Sequence, residues 1–311
     1  MAQTFTDFEA ILVDDGSMDR SGAICDEYAK KDSRFVVVHI QNEGVAKARI
    51  TAFEHSCGEL ITFIDSDDYV SSDYLEKLSK PIFEEDADMV SCEICEVYGG
   101  EIRKFAHKLT GCYEGLRLKD FIAYHYYYEK NCGYGMTCYL CTKMIKRELV
   151  LDGLRYGQGL WYGEDQTAML HILYACRKLV LIPDRMYYYV MHQEQTTKDY
   201  RRDMWDSLIA FFEKCQELDK EDKAIEGIRI RSWIYIHDMI FKKMSNRYLT
   251  RQEFCQHLRY ACMSPYMKKF FSPFTINPYR FKNLLIYWIL KYRQFSLLYR
   301  LMCIRNKKAF Q

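Results

Sequence analysis

Residues 60–68, with the sequence LITFIDSDD, decide the fold class, because a short apolar strand runs directly into three carboxylates. Residues 8–15, FEAILVDD, repeat this arrangement with two carboxylates at the end of the run. Residues 21–31 and 45–56 have helical spacing, and the β-branched residues 35–40 predict a further strand. Short strands that are apolar throughout and alternate with helices indicate a mostly parallel sheet flanked by helices. We therefore expect an α/β, Rossmann-like fold.

The second half of the chain has a less regular pattern. Residues 143–150 have helical spacing, and residues 179–182 and 186–190 predict two strands with Pro183-Asp184 as the turn. From about residue 200 onward, helical patterns dominate. We therefore expect a helical extension after the α/β part.

Composition restricts the classes of partner and the compartment. The 311 residues carry a formal net charge of +1, which does not resemble the basic footprint of a general nucleic-acid binder. Thirteen scattered cysteines and a polar opening segment lead us to expect a reducing, cytoplasmic location with buried free thiols. The pairs Cys92/Cys95 and Cys138/Cys141 lie too far apart for a zinc ribbon, so structural zinc is the weaker alternative.

Two acidic clusters, Asp14-Asp15 and Asp65-Ser66-Asp67-Asp68, each follow the carboxyl end of a predicted strand. Open α/β sheets bind ligands outside these ends, so both clusters are expected at one edge of the sheet. Carboxylates gathered there repel each other unless a cation or hydrogen-bond donors lie between them. Mg²⁺ or Mn²⁺ suits this position, because both ions prefer oxygen ligands and share them with substrate phosphates. An acidic turn that caps the following helix is the alternative.

Three blocks of sequence carry a family resemblance. Residues 8–19 (FEAILVDDGSMD), 42–49 (NEGVAKAR) and 58–68 (GELITFIDSDD) resemble, in order and spacing, the signature of family-2 glycosyltransferases with the GT-A fold. The resemblance is specific over residues 3–80 and looser over residues 130–197. It implies an inverting enzyme of surface polysaccharide synthesis that moves a sugar from a nucleotide diphosphate, such as a UDP-sugar, to an acceptor hydroxyl. The implied acceptor is a saccharide or a lipid-linked saccharide.

The resemblance assigns the nucleotide-sugar donor to residues of the first two blocks. It implies that Asp14 and Asp15 contact the base and ribose, while Asn42, Gly44 and Arg49 lie near the base or diphosphate. Carboxylates suit ribose hydroxyls and base N–H groups, and an arginine suits phosphate. The alternatives are an Asx turn at Asp14-Asp15 and a surface helix cation at Arg49.

The resemblance also implies metal ligands and catalytic groups. Asp67 would contact the metal, with Asp65 on the metal or the ribose, and His192 is a further candidate ligand. Asp165 would be the general base that deprotonates the acceptor hydroxyl, and Glu164 would contact the acceptor. For this pair the alternative is capping of the helix that follows, and for His192 it is a surface histidine.

The implied domain layout places a GT-A catalytic domain over residues 1–200 and a helical extension over residues 201–311. The catalytic domain would divide into a nucleotide-sugar half, residues 1–110, and an acceptor half, residues 111–200. Residues 283–308 combine Leu, Ile, Trp and Tyr with Lys and Arg. We expect either peripheral contact with the inner face of the membrane or a helical hairpin with a solvated basic face.

One departure from the family leads to a second expectation. The family fold begins with an additional strand and helix, which this sequence lacks. In the family, that strand lies between the strands that here end at Val13 and Ile64. Its loss would leave two rows of unpaired backbone groups, so we expect an N-terminally truncated and impaired chain. The rival functions are a catalytically impaired binding or assembly protein and a metal-dependent nucleotidyltransferase.

Overall fold

The computed structural model divides the chain into two compact units. The first unit comprises Met1–His192 with Glu221–Gly227, and the second comprises Gln193–Lys220 with Ile228–Gln311. The boundary at residue 200 stays a prediction. The structure describes residues 2–104, 109–126, 136–160, 163–191, 203–219, 225–244, 249–265 and 281–309.

The first unit begins with a parallel pair of strands. β1 (Ala10–Asp15) and β2 (Phe35–Ile40) pair along their full lengths, and α1 (Ser21–Lys31) connects them. α2 (Val45–His55) follows and packs on β1. These four elements fall where the hydrophobic pattern predicts, and the carboxylates that end β1 lie at its carboxyl end.

The first unit also contains a seven-stranded sheet. Its strands are β3 (Leu60–Thr62), β4 (Tyr69–Val70), β5 (Met89–Tyr98), β6 (Glu101–Lys104), β7 (Gly111–Glu114), β8 (Lys143–Lys146) and β9 (Lys178–Val190). Their order across the sheet is β3-β8-β5-β9-β4, with β6 paired to β5 and β7 paired to β9. β5 and β9 are parallel, whereas the other pairs of this sheet are antiparallel.

The α/β fold class is confirmed, but the expectation of a mostly parallel sheet is wrong for this larger sheet. β5 is buried over almost its whole length, although, among its described partners, β6 and β8 are antiparallel to it and only β9 is parallel. Gly99 and Gly100 have φ of +56° and +86° and close the tight hairpin between β5 and β6. Burial and strand direction are therefore separate properties here.

Two local predictions in the second half are also wrong. Residues 143–150 form β8 and a 3₁₀ turn (Arg147–Leu149) rather than a helix, because β8 is inserted between β3 and β5. β9 continues through Pro183 instead of turning there. The β5–β9 register shifts around Glu93, opposite this proline, and that irregularity accommodates a residue without a backbone N–H.

Helices complete the first unit: α3 (Tyr74–Glu85), α4 (Gly115–Phe121), α5 (Val150–Gly157) and α6 (Glu164–Ala175). α3 contributes fully buried Tyr74 and Leu78 to a core that also contains Val90 and Tyr187. α5 and α6 pack closely against each other. Leu60 of β3, the strand that leads to the Asp65–Asp68 cluster, packs against this core.

The described strands form two separate sheets. β1 pairs with β2, β3 pairs with β8, and no described residue pairs β1 with β3. The absence of a family strand between those that end at Val13 and Ile64 stays a prediction. Truncation of the reading frame itself stays a prediction.

The second unit is helical. Its helices are α7 (Met204–Leu218), α8 (Ile225–Asp238) from Ile228 onward, α9 (Arg251–Met263), α10 (Phe281–Lys291) and α11 (Phe295–Ala309). Trp205, Phe212, Phe254 and Leu298 are buried in it. Within the described ranges, no helix has the length and apolar character needed to cross a membrane.

Candidate functional site

The carboxylate of Asp15 links the end of β1 to the start of α2. It accepts hydrogen bonds from the backbone N–H groups of Glu43 (2.8 Å) and Gly44 (2.9 Å), one at each oxygen. Gly44 has φ of +88°, in the left-handed region that favours glycine, and directly precedes α2. Asp15 therefore helps to set where α2 begins, beside the exposed Asn42.

Asp14 holds the turn that follows β1. Its carboxylate accepts hydrogen bonds from the backbone N–H and hydroxyl of Ser17 and lies 2.8 Å from Nδ1 of His39. The hydrogen bonds from Ser17 and His39 lower the pKa of Asp14 to about 2. The Asx-turn alternative is therefore present in the structure, and contact of Asp14 or Asp15 with a nucleotide stays a prediction.

Arg49 on α2 brings the two distant acidic motifs together. Its side chain is 10% exposed, so the alternative of a surface helix cation is wrong. One guanidinium nitrogen donates to Asp65 (3.0 Å), and the other donates to Asp165 and lies 3.7 Å from Glu164. Asp65, Glu164 and Asp165 are thus gathered around one cation, although 99 residues or more separate the two motifs in sequence.

Burial and mutual repulsion change how these groups titrate. Burial raises the pKa of Asp165, with Arg49 acting against it, and burial together with the charge of Asp165 raises the pKa of Glu164. Burial alone would lower the pKa of Arg49, but the charges of Asp165, Asp65 and Glu164 raise it further. Arg49 is therefore a permanent cation, and the neighbouring Asp165 and Glu164 hold their protons more readily than usual.

The acidic turn after β3 is fixed by a buried tyrosine. The Tyr187 hydroxyl accepts a hydrogen bond from the backbone N–H of Asp65 (3.1 Å) and donates one to Asp68 (2.7 Å). Asp68 also accepts from the backbone N–H of Val190 (2.8 Å), so its carboxylate ties the turn to β9. Asp67 is exposed and makes no hydrogen bond or ion pair with the described residues.

Glu164 and Asp165 occupy the first turn of α6. Gly163 precedes them with φ of +86°, and α5 crosses α6 so closely that a Cβ at Gly157 would lie 2.5 Å from the carbonyl oxygen of Glu164. Both carboxylates also benefit from the helix N-terminus, although no side chain caps it. Side-chain capping is therefore not observed at α6, whereas the favourable interaction with the helix dipole coexists with the pairing of Asp165 to Arg49.

A buried lysine lies beneath the site. Lys143 at the start of β8 is fully buried, and its ammonium donates to the hydroxyls of Thr137 and Thr142, each at 2.8 Å. Burial lowers the pKa of Lys143 to about 8, and its positive charge lowers that of Asp165. Lys143 therefore acts with Arg49 to favour the ionised form of Asp165.

Asp65 and Asp67 are the described residues that fit a divalent cation. They offer hard oxygen ligands on one turn, and Asp67 has no competing protein contact in the described residues. No group of three His, Cys, Asp or Glu side chains suited to a metal occurs among the described residues. The donor set therefore fits an ion that also takes oxygens from a substrate phosphate. His192 lies outside the described residues.

Sequence reasoning missed two supporting residues. Tyr187 lies in a run of three tyrosines, and that run does not show which hydroxyl reaches the Asp65 turn. Lys143 carried a usable signal, because a lysine next to Met144 and Ile145 in a buried strand needs polar partners. The incorrect prediction of a helix at residues 143–150 concealed this signal.

Comparisons with known proteins show which family and which relatives this chain resembles. Residues 1–150 match the model of the family described as Glycosyl transferase family 2. The chain is 26% identical over 298 residues to EpsH of Bacillus subtilis (strain 168), named as a candidate glycosyltransferase, with 94% of this chain and 85% of EpsH covered. It is 31% identical over 198 residues to the glycosyltransferase GlyG of Streptococcus pneumoniae, covering 61% of this chain and 63% of GlyG.

Solved structures extend the similarity to nearly the whole chain. The crystal structure of residues 1–349 of S. aureus TarS in complex with UDP-GlcNAc superposes with a TM-score of 0.68 at 19% identity. The match covers 99% of this chain and 85% of that one. At this identity the match shows a shared fold.

Proposed function

Because residues 1–150 match the Glycosyl transferase family 2 model and relatives such as EpsH are named as glycosyltransferases, we propose that the carboxylates around Arg49 form the site at which this chain moves a sugar from a nucleotide diphosphate to an acceptor hydroxyl. The observation that carries the proposal is the shared contact of Arg49 with Asp65 and Asp165. It links the turn after β3, where a donor diphosphate would lie, to the start of α6, where an acceptor would lie.

The proposed donor is a UDP-sugar. TarS, which shares the fold, has been crystallised with UDP-GlcNAc and with UDP. In this chain, Asp15 binds the backbone of Glu43 and Gly44 in the loop before α2, beside the exposed Asn42, and Asp14 precedes it at the end of β1. Carboxylate groups at this edge of the sheet can accept hydrogen bonds from a base and a ribose, and backbone N–H groups there can donate hydrogen bonds to them.

The proposed cofactor is Mn²⁺ or Mg²⁺ held by Asp65 and Asp67. When bound, the ion would neutralise negative charge on the departing nucleotide diphosphate. Asp67 is free to contact it, and we expect Asp65 to exchange the contact of its Oδ1 with Arg49 for the ion. The guanidinium of Arg49 would then be available for the diphosphate, which it can bind through two parallel N–H groups.

Asp165 is the proposed general base. A carboxylate that accepts the proton of the acceptor hydroxyl must be ionised, and Arg49 and Lys143 both lower its pKa against the effect of burial. Glu164, one residue earlier on α6, would orient the acceptor. Direct attack by the acceptor in a single displacement inverts the anomeric centre, so inversion is part of the proposal.

The proposed setting is surface polysaccharide synthesis at the inner face of the membrane, with a saccharide or lipid-linked saccharide as acceptor. One relative, 26% identical over 264 residues, is the minor teichoic acid biosynthesis protein GgaB of Bacillus subtilis (strain 168). The aromatic and basic residues 283–308 suit a location beside a membrane that holds such acceptors.

Donor hydrolysis provides the experiment. A panel of UDP-sugars is incubated with the chain with Mn²⁺ and with EDTA, and release of UDP is measured. We expect Mn²⁺-dependent release from at least one donor, and a loss on the order of a hundredfold in Asp67→Ala, because charge stabilisation at the leaving group is removed.

Asp120→Ala is the matched control, since Asp120 is an exposed carboxylate on α4 outside the site. It should retain wild-type release. UDP release that is equal in Asp67→Ala and wild type would contradict the metal assignment. No release from any donor would favour the binding or assembly function instead.

A further inference from the structure

The C-terminal part of the chain is strongly and uniformly basic. Residues 254–311 contain no Asp or Glu but carry eleven Lys and Arg residues. The chain as a whole has a net charge of only +1, so the excess of positive charge is concentrated in this segment. Such an asymmetry is typical of a surface that meets an anionic partner.

A stripe of large apolar side chains lies on the outward face of α10 and on the turn that follows it. Leu285, Trp288 and Tyr292 are 43%, 41% and 62% exposed, and their spacing of three and four residues places them on one face. The Trp288 and Tyr292 rings stack at 5.5 Å and 9°. The stripe is therefore a preformed apolar surface.

The packing of the second unit does not use this stripe. The opposite face of α10 contributes Ile286, Tyr287, Ile289 and Leu290 to the interior, each at most 6% exposed. A helix that buries one face normally presents polar residues on the other. Burial in the interior therefore does not explain the aromatic residues on the outward face.

Cations border the stripe. The ammonium of Lys291 lies 5.0 Å from the Trp288 ring and 5.6 Å from the Tyr287 ring, so its charge is held beside the aromatic surface. Arg293 is exposed in the turn after α10, where its φ of +55° marks a left-handed residue. The next helix continues the pattern, with exposed Leu297 and Ile304 on α11.

We propose that the stripe formed by Leu285, Trp288 and Tyr292, with Lys291 and Arg293, docks on an anionic lipid bilayer. Trp and Tyr favour the level of the headgroups, Leu favours the acyl boundary, and Lys and Arg attract anionic headgroups. The bilayer is the occupant that matches both the apolar stripe and the basic residues Lys291 and Arg293 that border it. This inference rests on the membrane location given in the proposed function, and it assigns the contact with the membrane to particular residues.

Vesicle co-sedimentation of the full chain measures the docking directly. We expect binding to phosphatidylglycerol-containing vesicles, weaker binding to pure phosphatidylcholine, and release by added salt. Trp288→Ala with Tyr292→Ala should weaken binding to both kinds of vesicle, on the order of tenfold. Lys291→Gln with Arg293→Gln should weaken binding to anionic vesicles by about fivefold per charge and leave neutral vesicles unaffected.

Phe83→Ala with Tyr98→Ala is the matched control, because these residues are 62% and 54% exposed but belong to the first unit. It should bind like wild type. Equal vesicle binding by the stripe variants and the control would overturn the proposal. So would a wild-type dimer that the Trp288/Tyr292 variant dissociates, or preferential binding to RNA.

The assay contains no donor, metal or acceptor, so it separates this proposal from the proposed function. Asp67→Ala should bind vesicles normally while losing donor hydrolysis. If hydrolysis fails in every variant, docking can still be observed. If docking fails, UDP release in solution is unaffected.

Discussion

Arg49 is the residue on which the site depends. It is one cation among three carboxyl groups, so the cluster retains a surplus of negative charge when all of them are ionised. A divalent ion can offset that surplus, which gives a physical reason for a metal at the neighbouring Asp67. The fork of the guanidinium reaches Asp65 and Asp165 together, and a lysine ammonium is a single point charge.

Replacement of Arg49 tests this view. Arg49→Met leaves buried carboxylates without a counter-charge, which should lower the free energy of unfolding by about 3 kcal/mol and remove transfer activity. The loss of stability should shrink at acid pH, where Asp165 and Glu164 become protonated. Arg49→Lys should retain more stability than Arg49→Met but only a small part of the wild-type kcat. Denaturant unfolding at several pH values measures the first effect and UDP release the second.

The control is Arg20→Lys, because the Arg20 side chain is 82% exposed. An Arg49→Met variant with wild-type stability and UDP release would show that the three-carboxylate cluster does not need its cation.

Asp88 is a second residue whose charge affects the stability of the fold. Its side chain is 2% exposed and accepts hydrogen bonds from Lys146 (3.0 Å) and from the guanidinium and backbone N–H of Arg177. Burial alone would raise the pKa of Asp88, but the bonds from Arg177 and Lys146 lower it to about 2. The folded-state pKa lies below the unfolded one, so the ionised form stabilises the fold.

The stabilisation by Asp88 should be fully present above about pH 4 and lost as the pH falls through about 2. Asp88→Asn should cost about 2 kcal/mol at pH 7 and less at lower pH, because its partners lose a charged acceptor. Chemical denaturation from pH 7 to pH 3 measures this, with Asp120→Asn as control. Parallel pH curves for wild type and Asp88→Asn would contradict the assignment.

At the scale of elements, the sequence predicts what local patterns encode. α1, β2 and α2 agree with the expected bounds to within one residue, because each has its own periodicity and breakers. β8 was expected as a helix, since its place between β3 and β5 is a tertiary property. The same limit applies to the site. Its carboxylates follow strand ends and are predictable, whereas burial of Arg49 and Lys143 depends on which elements meet.

The crossing of α5 and α6 provides the prediction at this scale. A Cβ at Gly157 would lie 2.5 Å from the carbonyl oxygen of Glu164 and 3.3 Å from the Ala168 Cβ, both on α6. Gly157→Ala should therefore push α6 outward, cost about 1–3 kcal/mol of stability and lower kcat, because Asp165 moves with α6.

Gly58→Ala is the matched control, since nothing lies closer than 3.4 Å to a Cβ placed there. Thermal denaturation and UDP release measure both variants. Wild-type values in Gly157→Ala would show that the crossing does not position Asp165.

At the scale of the whole molecule, the proposed catalytic site and the proposed membrane-docking surface belong to different parts of the chain. The described site residues all lie in the first unit, and the apolar stripe lies in the second. A ligand that binds only the folded first unit should stabilise it by mass action. UDP with Mn²⁺ at about 100 times the dissociation constant should add about 2.7 kcal/mol, and Asp67→Ala should respond much less. Differential scanning fluorimetry measures this, and equal shifts in the two proteins would contradict a metal-bridged nucleotide.

The central claim is that Asp65, Asp67 and Asp165 surround one metal-bound diphosphate. A crystal structure with UDP and Mn²⁺, with data collected at the manganese edge, measures this most directly. We predict an anomalous peak beside Asp65 and Asp67, with the Arg49 guanidinium turned to the diphosphate and Asp165 released from it. An anomalous peak elsewhere, with Arg49 still paired to both Asp65 and Asp165, would contradict the account.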